Sequence, residues 1–225
     1  MRNRIAGQLF SRSLPSVGFF FLLVLLLLAS SPLFAQSPPQ IRPKPNPWEV
    51  SAAFRASFLL GSADPFYTWS RLYRDGLGGG LSISRSVFRG VSLEGSMFYD
   101  YFEGKEVVSS IGPGTLGSLS LLSFSAGFRV YPIEFFRPVS TFFHPYLLVD
   151  LGGSYFSGIR FNGENDRSYP NTVDFAYGVG GGFDLFLWDR LIPFVEAKFQ
   201  NSGRPEGVMD SLTTIPLAIG LRVLL

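Results

Sequence analysis

Ten charged side chains stand at positions flanked on both sides by apolar or small residues: Arg55, Glu94, Asp100, Arg129, Asp150, Asp174, Asp184, Glu196, Lys198 and Arg222. Acids and bases that share one face of a chain supply ion pairs, either to lock structural elements in register or to gate a passage between them. Other chemistry is poorly provided for. There is no cysteine and a single histidine, His144, so neither a thiolate nucleophile nor a cluster of soft metal ligands is available, and no cofactor is expected. His144 has no Ser–His–acid spacing around it, which argues against an enzyme. Gly178–Gly182 has the glycine density of a phosphate loop, but no helix or lysine follows it. Mid-strand glycines more simply make room for bulky neighbours or a bend.

The elements that position these charges alternate with period two, as strands do when successive side chains point to opposite faces. Val50, Ala52, Phe54, Ala56, Phe58 and Leu60 oppose Ser51, Ala53, Arg55 and Ser57. The same pattern recurs over 79–87, 91–101, 122–130, 147–155, 173–187, 195–199 and 214–225, which predicts eight strands. Ser62–Asp75, Gly104–Gly117, Gly158–Asn171 and Asn201–Asp210 are long connections rich in Gly, Pro, Asn and Asp; Arg89-Gly90 and Trp188–Arg190 are tight turns. Pro132–His144 is longer than the other connections on the short-turn side.

The N-terminus has a separate role. Arg2, Arg4 and Arg12 precede an apolar run of about 13 residues, Val17–Ala29, and Leu33-Phe34-Ala35 offers a cleavage point. The run is shorter than the roughly 20 residues a spanning helix needs. Residues 1–35 read as a signal peptide, 36–47 as a proline-rich linker and 48–225 as the folded domain. An exported chain without cysteine is held by burial and hydrogen bonding alone. Its net charge of +2 is scattered along the chain, so no nucleic-acid footprint is present.

Alternation alone also fits a soluble barrel of the lipocalin kind, with its apolar face inward and a periplasmic carrier role. Two features favour the inverted arrangement. The apolar face is uniformly large, whereas the other is mostly Gly, Ser and Ala with the ten charges. Small residues suit the crowded interior of an eight-stranded barrel. Second, Trp48, Tyr67, Trp69, Tyr73, Tyr99, Tyr101, Tyr131, Tyr146, Tyr155 and Trp188 concentrate near segment ends, where amphipathic rings form the girdles of membrane barrels. The fold expected is an all-β, closed, antiparallel, eight-stranded transmembrane barrel.

Gly127-Phe128-Arg129-Val130-Tyr131-Pro132, Pro145-Tyr146-Leu147 with Asp150-Leu151-Gly152-Gly153, Tyr177 through Asp184, and the closing Gly220–Leu225 together resemble the small eight-stranded outer-membrane barrels, the OmpA/OmpX-like barrel domains. The family usually ends on an aromatic residue, and this chain ends on Leu225. The resemblance covers about residues 48–225. It implies location in a bacterial outer membrane, with membrane lipid and the export and barrel-assembly machinery as partners. It also implies a structural or adhesin-like role through four surface loops, whose ligand is unknown. A narrow gated channel is the alternative.

Tyr67, Trp69, Tyr73, Phe161 and Tyr169 are the loop aromatics expected to make surface contacts. Glu94, Arg129 and Asp150 fall on consecutive strands near their turn ends and are expected to form one cluster, with Arg55, Asp184, Glu196, Lys198 and Arg222 as further lumen charges.

Overall fold

The computed structural model describes residues 48–63, 67–109, 112–136, 142–163, 167–168, 170–188, 190–204 and 210–225. The expected signal peptide and linker, and Tyr169, lie outside them. The described residues form twelve strands: β1 (Trp48–Leu60), β2 (Gly76–Phe88), β3 (Val91–Phe102), β4 (Glu106–Ser109), β5 (Gly112–Leu116), β6 (Leu119–Val130), β7 (Phe143–Ser157), β8 (Arg160–Gly163), β9 (Arg167–Ser168), β10 (Thr172–Leu185), β11 (Leu191–Asn201) and β12 (Thr213–Leu224). Eight of them close a barrel in the order β1-β12-β11-β10-β7-β6-β3-β2, every neighbouring pair antiparallel. These are the eight segments with alternating sequence.

The seam is made by the first and last staves, paired continuously from Glu49↔Leu224 to Leu60↔Thr213. Closure leaves no edge with unpaired backbone groups. Staves of 11 to 15 residues reach or exceed the roughly 9–11 residues that a tilted strand needs to cross a bilayer. One tight turn joins β2 to β3 through Gly90, whose φ of 74° suits a residue without a Cβ, just after a register shift between Ser86 and Phe88.

The direction of the faces follows from burial. Arg129 and Arg222 are 0% and 1% exposed, whereas Leu81 and Phe128 are 56% and 53% exposed. The apolar face of every stave points outward and the charged face inward, the reverse of what a soluble carrier requires. Among the described residues no helix is long and apolar enough to cross a membrane. A barrel crosses by strands instead, because each backbone group is paired within the ring.

The remaining four strands were not visible in the alternation. β4 and β5 arise within the second long connection, β8 and β9 within the third, and together they form a separate sheet in the order β4-β5-β8-β9. Single helical turns at Trp69–Leu72 and Ile133–Phe136 interrupt two other connections.

Candidate functional site

The interior is built in layers along the barrel axis. Nearest the short turns is a network of two guanidinium groups, four carboxylates and two tyrosines. Arg129 pairs with Glu94 and, at 3.0 Å, with Glu49; Ser84 Oγ donates to the same Glu49 oxygen at 2.9 Å. Arg129 Nη1 also donates to the Tyr131 hydroxyl at 3.3 Å, and that hydroxyl donates to Asp184 Oδ2 at 2.6 Å. Arg222 pairs with Asp184 through Nη1 and donates through Nη2 to the Tyr146 hydroxyl at 3.0 Å, which in turn donates to Glu196 Oε2 at 3.0 Å. The rings of Tyr146 and Phe194 lie beneath these cations, with Arg222 3.9 Å from the Phe194 centroid. Charges in so narrow a space persist only when paired and hydrogen-bonded.

A second layer lies nearer the long loops. Arg55 binds Asp100 through both Nε, at 2.7 Å, and Nη2; Ser57 Oγ donates to the same carboxylate at 3.2 Å. Lys198 Nζ bonds Asp150 Oδ2 at 2.8 Å. Phe98 sits between the two pairs, with Arg55 4.4 Å and Lys198 5.9 Å from its ring centroid. Gln200 donates to Ser123 and Ser202 at the upper margin. Among these groups is a cavity of about 10 Å³, room for about one water.

Glu94 and Arg129 therefore meet as the sequence suggests, but Asp150 does not join them. It stands opposite Gly127 on one side and Gly178 on the other. The bare glycine track of β10 lets its carboxylate reach across to Lys198 on β11. A Cβ on Gly178 would come within 2.8 Å of Asp150 Oδ1, and one on Gly182 within 2.7 Å of the Tyr146 hydroxyl. The glycine run thus makes space for the ion pairs. Asp174 lies at the loop end of β10, accepting backbone bonds from Phe175 and Arg204. Glu49, Tyr131 and Tyr146 are network members that the sequence reading missed. Tyr131 and Tyr146, both 2% exposed, were assigned to the outer girdle. Each has the parity of the inward charge beside it, Arg129 and Asp150, so the alternation itself carried the signal.

Above both layers the mouth is closed by an apolar plug of Leu59, Ala63, Trp69, Tyr73, Phe102, Leu119, Leu121, Phe156, Ile159 and Leu212. Trp69 and Tyr73 were expected as surface contacts; they are 1% and 2% exposed. Their helical turn folds the first loop into the mouth, and Trp69 Nε1 donates to the Ser211 carbonyl of the fourth loop at 3.0 Å. Tyr67 is half-buried, and Phe161 pairs with Leu116 across β8 and β5. Backbone bonds from Arg74 to Glu103 and from Lys105 to Leu72 join the first loop to the second. Gly117 to Arg160 joins the second to the third, and Asp210 to Ala63 the fourth to the first.

At the opposite end His144 is buried against Phe186, ring centroids 4.6 Å apart, with Glu134 3.8 Å from its Nδ1. No hydroxyl nucleophile is among those contacts. Among the described residues no group of three His, Cys, Asp or Glu could hold a metal ion.

Neither a family model nor a curated protein matches this chain. Solved structures do. The outer membrane protein OprG from Pseudomonas aeruginosa aligns with a TM-score of 0.59 and 14% identity, over 81% of this chain and 97% of that one. Neisserial surface protein A aligns with a TM-score of 0.51 and 14% identity, over 80% and 97%. At such identity it is the fold that is shared. The closed ring of eight antiparallel staves, polar within and apolar without, is that of the small outer-membrane barrels.

Proposed function

From that fold as the premise, we propose that the chain is a non-conducting bacterial outer-membrane barrel that works through its loop platform, as a surface-contact or adhesin-like protein. One observation carries the reading: two layers of ion pairs cross the lumen and an apolar plug caps it, while all four loops are hydrogen-bonded to one another at its mouth. A permeation path would have to break several buried charge pairs at once, which disfavours the gated channel. A rigid platform suits contact, since ordering it on binding costs little.

The β4-β5-β8-β9 sheet, presented by the second and third loops, is the contact surface in this account. The export and assembly machinery would be needed only for biogenesis, and no enzymatic role is assigned to the interior.

The test has two arms. Purified protein in planar bilayers should give no conductance steps; regular steps would refute the sealed lumen. Cells displaying the protein should adhere to at least one of a panel of immobilised extracellular-matrix proteins. Replacing 104–117 by a short Gly-Ser turn should abolish that adherence while the barrel still changes gel mobility on heating. Adherence equal to that of cells lacking the protein, or unaffected by the replacement, would refute the contact role.

A further inference from the structure

On the outer face of the eight staves, one charged side chain occurs among the described residues: Arg85, on β2. It is exposed, and no described carboxylate lies within ion-pair distance of it. A cation on an otherwise apolar surface calls for an explanation, because lipid-facing charge is destabilising to a degree that depends on depth.

Its surroundings supply one. Trp48, Arg85 and Leu93 stand side by side on β1, β2 and β3. The guanidinium carbon lies 5.3 Å from the centroid of the Trp48 ring, a cation–π contact that holds it in place. Around it is a groove of about 500 Å³ lined by Trp48, Ile83, Arg85, Val87, Leu93 and Gly95. Gly95 forms the floor; the nearest atom to a Cβ placed there would be Ile83 Cγ2 at 4.0 Å, so the space above it is open.

The height of the groove is set by β3. Leu93 is eight residues from the outward Tyr101. At about 3.3 Å per residue and a tilt of about 45°, that is about 19 Å along the barrel axis. The apolar band of such barrels is about 25 Å tall, so with Tyr101 at one interface Arg85 lies just inside the other, within reach of its headgroups by snorkelling. The short turns are at this end and the long loops at the other, which puts the groove in the periplasmic leaflet.

We propose that this groove binds one anionic glycerophospholipid of the periplasmic leaflet. Its phosphate sits on the Arg85 guanidinium, whose planar fork matches phosphate oxygens, and one acyl chain lies over Gly95 between Ile83 and Leu93. The proposal rests on the membrane reading above.

The test is native mass spectrometry of the full chain in detergent, titrated with phosphatidylglycerol or phosphatidylcholine. The wild type should retain one phosphatidylglycerol in preference to phosphatidylcholine. Arg85→Gln should weaken that binding about tenfold, as expected for loss of a charge-assisted contact. Gly95→Leu should do the same by filling the groove, without a clash that threatens folding. Equal retention of both lipids, or undiminished binding by either variant, would overturn the site. Lipopolysaccharide displacing the phospholipid would overturn the assignment to the periplasmic leaflet. Vesicle insertion and heat-shifted gel mobility are recorded in parallel: a chain that does not insert refutes the membrane reading, whereas an inserted variant with unchanged lipid binding refutes the groove alone.

Discussion

Arg55 and Asp100 form a pair apart from the turn-end network, 2% and 1% exposed, with Ser57 as the further hydrogen-bond partner of the carboxylate. Arg55→Met keeps an aliphatic chain over the Phe98 ring and strands Asp100 in the lumen. Breaking a buried pair from one side costs about 3–5 kcal/mol, because an uncompensated charge remains. Asp100→Leu strands Arg55 at a similar cost. The double variant removes both charges, and such replacements are often neutral or stabilising. The expectation is therefore that Arg55→Met with Asp100→Leu is more stable than either single variant.

With a urea m-value of about 2 kcal/mol/M, a loss of about 4 kcal/mol moves the midpoint down by about 2 M. The double variant should recover most of that shift. The assay is urea titration of the barrel refolded in lipid vesicles, followed by tryptophan fluorescence. If the double variant instead loses the sum of the two single shifts, the sites are independent and the pairing argument fails.

Trp69→Ala removes the largest buried side chain of the mouth plug and should cost about 3–5 kcal/mol in the same titration. It should leave planar bilayers silent, since both ion-pair layers lie beneath it; conductance steps in this variant would show that the plug alone seals the barrel. Gly180→Leu places a Cβ against the Ala197 carbonyl and the Lys198 side chain across β10 and β11, so the protein should fail to reach the heat-modifiable form on gels. Normal folding of that variant would show the glycine track to be dispensable.

The staves were legible because their physics is local. Period two needs only neighbouring residues, and each outward Leu, Val or Phe beside an inward Ser, Gly or charge states its own face. The partners inside the lumen were less legible, because a contact there depends on side-chain reach as well as on position along a stave. Asp150 meets Lys198 rather than Arg129 because the glycines of β10 clear a lane across the one strand between them. Glu49 was overlooked beside Trp48 at the start of β1, although it shares the parity of Ser51 and Arg55.

Tyr131 and Tyr146 were assigned by residue type, where parity would have turned them inward. Trp69 and Tyr73 lie in a loop, where no period operates and burial is decided by tertiary packing against Phe102, Leu119 and Leu212. The four-stranded loop sheet was hidden for a related reason. Gly112-Pro113-Gly114 reads as a turn, yet it pairs as part of β5.

The central claim, that the apolar face meets lipid and the charged face is sealed within, is tested most directly by nitroxide scanning along β3. The chain has no cysteine, so single Cys substitutions from Leu93 to Tyr101 can each be spin-labelled in vesicles without background. Labels at 95, 97 and 99 should collide with dissolved oxygen and be shielded from a water-soluble nickel reagent. Those at 94, 96, 98 and 100 should be shielded from both. Nickel accessibility at 95, 97 or 99, or oxygen accessibility without period two, would contradict the account.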